Sequence, residues 1–78
     1  MVQGNGQWMF LILGVPVYAQ DLPINNMTVF HPYNEAVRRI IEPICRGRGY
    51  WRAEYKNWLI FDQFRDAVLD ELRRVEQQ

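Results

Sequence analysis

Six consecutive apolar side chains, Trp8-Met9-Phe10-Leu11-Ile12-Leu13, stand near the start of this chain and restrict what it can become. The run is well short of the roughly 18 to 20 residues that a membrane span needs, and Gly14 and Pro16 break it. Read as a strand, it turns Trp8, Phe10 and Ile12 to one face and Met9, Leu11 and Leu13 to the other, so both faces require cover. The expectation is a strand central in a sheet, or one paired across a subunit interface. Pro16 lacks a ladder donor, which confines Val15–Ala19 to an edge, a bulge or a second short strand. The competing reading is a secretory signal in residues 1–19, with the apolar run followed by Val17-Tyr18-Ala19 as a cleavage site. Against it, Met1–Gln7 contains no Lys or Arg, whereas a signal normally opens on positive charge. Residues 1–6, which include Gly4 and Gly6, are expected to be disordered; these glycines lack the strand-to-helix setting of a phosphate loop.

Beyond this run the periodicities alternate between strand and helix. Asp21–Asn26 reads as a loop, with Pro23 fixing one backbone angle and Asn25 and Asn26 tolerating turn conformations. Met27–Phe30 then has the β-branched and aromatic content of a short strand, closed by His31-Pro32. Pro32 suits the first turn of a helix, and Tyr33, Val37, Ile40, Ile41 and Ile44 recur at helical spacing as a buried stripe. Pro43 predicts a kink or a restart before Cys45, and Gly47 a stop. Tyr50–Phe61 reads as a hairpin or as a loop feeding one strong strand, with Trp58 and Phe61 assigned to the core. Asp62 is suited to cap a last helix, whose stripe is Phe64, Ala67, Val68, Leu72 and Val75, with Asp70 and Arg74 paired one turn apart. The sum is an α+β fold in one domain, residues 1–78: a small antiparallel sheet with two amphipathic helices packed on one face, in the order β-β-α-β(β)-α, and aromatics on the other face.

Charge is segregated although the net charge is zero. Arg38, Arg39, Arg46, Arg48, Arg52 and Lys56 against Glu42 and Glu54 give residues 38–56 a charge of +4, and each flank carries −2. Such a bipolar chain suits docking against an anionic partner. Cys45 is the only cysteine; it has no internal disulfide partner, reads as a buried and inert thiol, and favours a reducing, cytoplasmic setting. His31, the only histidine, reads as a hydrogen-bonding or capping residue at a strand-to-helix junction. No second nitrogen or sulfur ligand lies at metal spacing from Cys45, and Asp66 and Asp70 look like helix surface rather than an acid–base pair. The expectation is therefore a non-catalytic protein without metal or cofactor.

The segment Arg46–Phe61 concentrates two glycines, five aromatic residues and four of the nine basic residues. Arg46, Arg48, Arg52 and Lys56 suit phosphate neutralisation, Tyr50, Trp51 and Tyr55 suit stacking on unpaired bases, and Gly47 and Gly49 leave room for close backbone approach. Arg38 and Arg39 are auxiliary cations. The alternative is that the arginines form a solvated rim and the aromatics a satellite of the core. From Val29 to Leu72 the chain resembles the HARP module, the HepA-related domain appended to annealing helicases that bind forked DNA. The resemblance rests on Val29 in a strand; Tyr33, Val37 and Ile41 in the helix; Trp51 with Trp58 seven residues on and Lys56 two before it; and Phe64, Val68 and Leu72 in the last helix. Pro43 and a Trp in place of the usual Tyr at Trp51 depart from that pattern. The resemblance implies a non-catalytic module that contacts nucleic acid or a partner acting on it, without ATPase activity of its own. The function expected is binding of single-stranded or forked DNA. The alternative is a protein-interaction or adaptor module, possible as a homodimer through the apolar N-terminal strand; neither reading involves a membrane.

Overall fold

The computed structural model describes residues 6–76. Five strands, β1 (Gln7–Ile12), β2 (Val15–Asp21), β3 (Met27–Phe30), β4 (Gly49–Arg52) and β5 (Asn57–Ile60), form one antiparallel sheet in the order β1-β2-β3-β5-β4. Helix α1 (Glu35–Cys45) follows β3, and a 3-10 turn (Asp62–Phe64) runs into α2 (Arg65–Val75). The architecture is the expected α+β one, with Val15–Asp21 a full strand and Tyr50–Phe61 resolved into the β4–β5 hairpin. No helix among the described residues is long and apolar enough to cross a membrane.

Alternation along the strands builds the core on one face. Phe10, Ile12, Val17, Val29 and Ile60 point inward and are buried against Val37, Ile41 and Ile44 of α1 and Val68, Leu69 and Leu72 of α2. Cys45 is buried among them, and desolvation pushes its thiol up to about 12, so it stays protonated and unreactive at neutral pH. The open face carries Met9, Leu11, Tyr18, Phe30 and Tyr50, all exposed. Two aromatic contacts cross it, Tyr18 with Phe30 at 6.4 Å and Tyr50 with Phe61 at 6.0 Å between ring centroids.

Several sequence expectations are corrected by this arrangement. Strand β1 is an edge strand, not a central one, because β2 pairs along one side of it and helices cover only its Phe10 and Ile12 face. Strand β2 is internal despite Pro16. The Leu13-Gly14 turn, with φ of 53° and 77°, closes the hairpin at Ile12 opposite Val15, which makes the next pair, Leu11 opposite Pro16, one without ladder bonds between β1 and β2. The other side of Pro16 lies beyond the end of β3, whose pairing stops at Phe30 opposite Tyr18. Of the opening stretch, residues 1–5 fall outside the described residues, while the Gly6 carbonyl accepts the Asp21 amide at 2.8 Å.

The helices begin and end differently from expectation. Asn34, not Pro32, starts α1, its Oδ1 accepting the Val37 amide at 3.1 Å, which leaves Tyr33 outside the helix and 85% exposed. Pro43 lies within the helix without ending it. It sits in the last turn, where one ladder bond is lost while the Arg46 amide still reaches the Glu42 carbonyl at 2.8 Å. Gly47, at φ 82°, then supplies the left-handed residue that ends α1. Asp62 makes no side-chain cap; instead Asn26 Oδ1, from the β2–β3 loop, accepts the Asp62 amide at 3.1 Å. In α2 the buried stripe contains Leu69 where Ala67 was expected, and Ala67 is exposed. Asp70 meets Arg73 rather than Arg74, which faces Glu71.

One ion pair ties the two layers together. Arg65, the first residue of α2, donates from Nε to Asp21 Oδ1 at 2.6 Å and from Nη2 to Asp21 Oδ2 at 2.9 Å, over the ring of Trp8. Asp21 ends β2 and is only 8% exposed. The bond to Asp21 raises the Arg65 guanidinium further above its ordinary value, and two parallel bonds fix direction as well as distance. Arg65→Ala leaves a buried carboxylate unpaired and should lower stability by about 3 kcal/mol, whereas Asp21→Ala, which lets Arg65 turn to Asp66 and water, should cost about half as much. Urea unfolding of both variants measures the difference; equal losses would mean that packing, not the charge, sets the cost.

Candidate nucleic-acid interface

The β4–β5 hairpin divides its side chains between the two faces of the sheet. Trp51 pairs with Trp58 on the helix side, the rings edge to face at 5.7 Å. Tyr50 and Arg52 point the opposite way, and Arg52 Nε donates to Asn57 Oδ1 at 3.1 Å while its guanidinium lies over the Tyr55 ring at 4.4 Å. The basic-aromatic segment that is continuous in sequence is therefore two surfaces in space.

On the helix side the two tryptophans border a groove of about 850 Å³. Helix α2 packs on β1 and on α1; the helices bury Ile60 of the hairpin's inner face but leave Trp51 half exposed, and the groove lies between the two tryptophans and α1. Arg38, Glu42 and Arg46, successive at four-residue spacing, form the α1 wall; Lys56 stands on the hairpin side, and His31 and Tyr33 close the end at the β3–α1 connection. Trp51 is 48% exposed, so a large part of an indole is available to a ligand. Trp58 is half-buried and packs against the core, and Phe61, expected inside, is 41% exposed on the open face.

The charges around the groove are unequal. Arg46 pairs with Glu42 at 2.8 Å and Arg38 reaches the same carboxylate at 3.8 Å, while Lys56 takes part in no ion pair with the described residues. Three cations against Glu42 and, behind Arg38 at 3.5 Å, Glu35 leave a positive excess that favours an anion, and an exposed indole favours a planar group beside it. His31 Nδ1 lies 2.8 Å from the Pro32 carbonyl, the hydrogen-bonding role expected of it.

Of the residues singled out in the sequence, Trp51, Lys56, Arg46 and Arg38 come together here. Arg48 does not: its Nη1 donates to the Ile44 carbonyl at 3.2 Å and closes the end of α1. Arg39 pairs with Glu35 away from the groove. Tyr50, Arg52 and Tyr55 belong to the open face. Gly49 serves the sheet rather than a phosphate, since a side chain there would run into the Leu59 carbonyl. Phe30, His31, Pro32, Tyr33, Glu42 and Trp58 are the groove residues that the sequence did not mark as a site. Only Tyr33 and Trp58 carried a signal, through the helix-opening and paired-aromatic positions of the HARP-like pattern.

No protein family, curated protein or solved structure compared with this chain matches it.

Lys56 also has an unfavourable backbone, at φ 54° in the left-handed region, which costs an L side chain about 1 kcal/mol. Asparagine tolerates that region better. Lys56→Asn should raise the melting temperature by about 4–8 °C per kcal/mol relieved, so that calorimetry showing a lower value instead would assign Lys56 a part in holding the fold.

Proposed function

We propose that this chain is a non-catalytic module that binds single-stranded or forked DNA, receiving an unpaired stretch in the Trp51–Trp58 groove. The observation that carries this reading is the placement of a half-exposed indole, Trp51, among Arg38, Arg46 and Lys56 in one groove. The HARP-like pattern supports it from another direction. Tyr33, Trp51, Lys56 and Trp58, which that pattern marks, all line the groove, while Val29, Val37, Ile41, Val68 and Leu72 are buried in the core. In this reading Trp51 stacks on a base and the three cations follow the backbone. The net charge of zero limits long-range attraction, so affinity depends on this local cluster.

Two phosphate contacts on a single strand, one at Lys56 and one shared by Arg38 and Arg46, give a salt slope of about −1.4. Titrating labelled oligothymidine and a forked duplex at about 50 mM salt, where such contacts are strongest, should show saturable binding that weakens accordingly as salt rises. Trp51→Ala should weaken it about tenfold, the loss of one stacking contact, and Lys56→Asn should flatten the slope by about 0.7. The paired variant Arg52→Ala with Tyr55→Ala, on the opposite face, should bind as the wild type does. Loss in the open-face variant with none in Trp51→Ala would move the interface to the other side of the sheet, and no binding at low salt would end the reading.

A second reading, a homodimer, rests on β1. This edge strand, Gln7–Ile12, contains neither a charged residue nor a proline, the devices that ordinarily keep sheet edges apart, and its Met9 and Leu11 are exposed. Antiparallel pairing of β1 with its copy across a two-fold axis presents the same groups from each side. Light scattering should then show a dimer that Leu11→Lys converts to monomer; a monomer at all concentrations removes this reading and leaves the groove untouched.

A further inference from the structure

We infer that Glu42 occupies the place of a backbone phosphate in the groove, so that Arg38, Glu42 and Arg46 form a single-phosphate site held closed by its own carboxylate. This rests on the nucleic-acid reading above. Both guanidiniums reach the same oxygen, Glu42 Oε2, Arg46 Nη2 at 2.8 Å and Arg38 Nη2 at 3.8 Å. The shorter distance is that of a charge-assisted hydrogen bond, and a phosphate oxygen offers the same kind of acceptor to the same planar forks. The three residues are one helical turn apart on the wall of the groove that also holds Trp51, so a phosphate bound there is linked to a base within reach of the indole.

Helical spacing alone would also produce such a triad, and Glu35 provides the comparison. It too pairs with two arginines, Arg38 and Arg39, at 3.5 and 3.7 Å, but it does not border the groove. A carboxylate that serves only the helix contributes about a twofold effect per pair. A carboxylate within 4 Å of a bound phosphate opposes it by about fivefold even in water, and by more where water is partly excluded. Repulsion therefore outweighs the benefit of holding the arginines in place, which gives the sign of the effect: removing the Glu42 charge tightens binding.

The test uses fluorescein-labelled oligothymidine about 12 nucleotides long with the wild type, Glu42→Gln and Glu35→Gln. The last two raise the net charge equally. Glu42→Gln should bind about fivefold tighter than the wild type at about 50 mM salt, with a steeper salt dependence, and Glu35→Gln should stay within about twofold. Glu42→Ala, which puts the best helix former at the position, should behave like Glu42→Gln and excludes a folding artefact when circular dichroism matches the wild type. Equal gains in the Glu35 and Glu42 variants, or no gain in either Glu42 variant while the wild type binds, would overturn the inference and leave the groove as a binding site. No binding by the wild type or any variant would overturn the nucleic-acid reading, and the phosphate site with it.

Discussion

The pair between Asp21 and Arg65 sets the position of everything on the helical side of the sheet. Asp21 lies almost wholly out of water at the end of β2, and a charge so placed is costly unless both oxygens are satisfied. Arg65 satisfies them as the first residue of α2, which fixes where that helix enters. With α2 held near β1, α1 fills the space beside it, and two helices of 11 residues are then used up. Each is about 16 Å long. On the inner face of the last hairpin the helices bury Ile60 but leave Trp51 half exposed, with Trp58 half-buried beside it. The groove is thus a by-product of how far the helical layer extends.

Much of this fold was legible in the chain because it depends on local periodicity. The helical stripe around Val37 and Ile41, the strand at Met27–Phe30 and the stop at Gly47 follow from spacing and from the conformational freedom of single residues. What was not legible depends on partners distant in sequence. The run Trp8–Leu13 is apolar on both sides, which reads as a strand covered twice, yet among the described residues no helix covers the second face and Met9 and Leu11 are exposed. Sheet order is a property of pairing, and no residue within β1 reports that it stands at an edge. The 3-10 turn that leads into the last helix illustrates the same limit: Asp62 has the chemistry of a cap, but Asn26, thirty-six residues earlier, provides the acceptor for its amide.

The candidate site was half legible for a related reason. A contiguous basic-aromatic segment suggests one surface, but a strand sends neighbours to opposite faces, so Trp51 and Arg52 cannot serve the same ligand-binding groove. Arg48 was indistinguishable from its neighbours until its guanidinium met the Ile44 carbonyl. The residues that complete the groove come from α1 and from the β3–α1 connection, and their role depends on where the helix is laid down.

The β4–β5 hairpin is joined to the rest of the sheet along one short seam, in which Met27, Thr28 and Val29 pair with Ile60, Leu59 and Trp58. These partners are about thirty residues apart in the chain, so the seam closes late, after the locally connected hairpins have formed. It also opens early. A unit held by few pairs at the margin of a sheet exchanges its amide hydrogens through partial unfolding, at a lower free energy than the core strands require. The tryptophan groove therefore lies on an element joined to the sheet along one short seam, and a ligand that bridges α1 and the hairpin would act as a second seam.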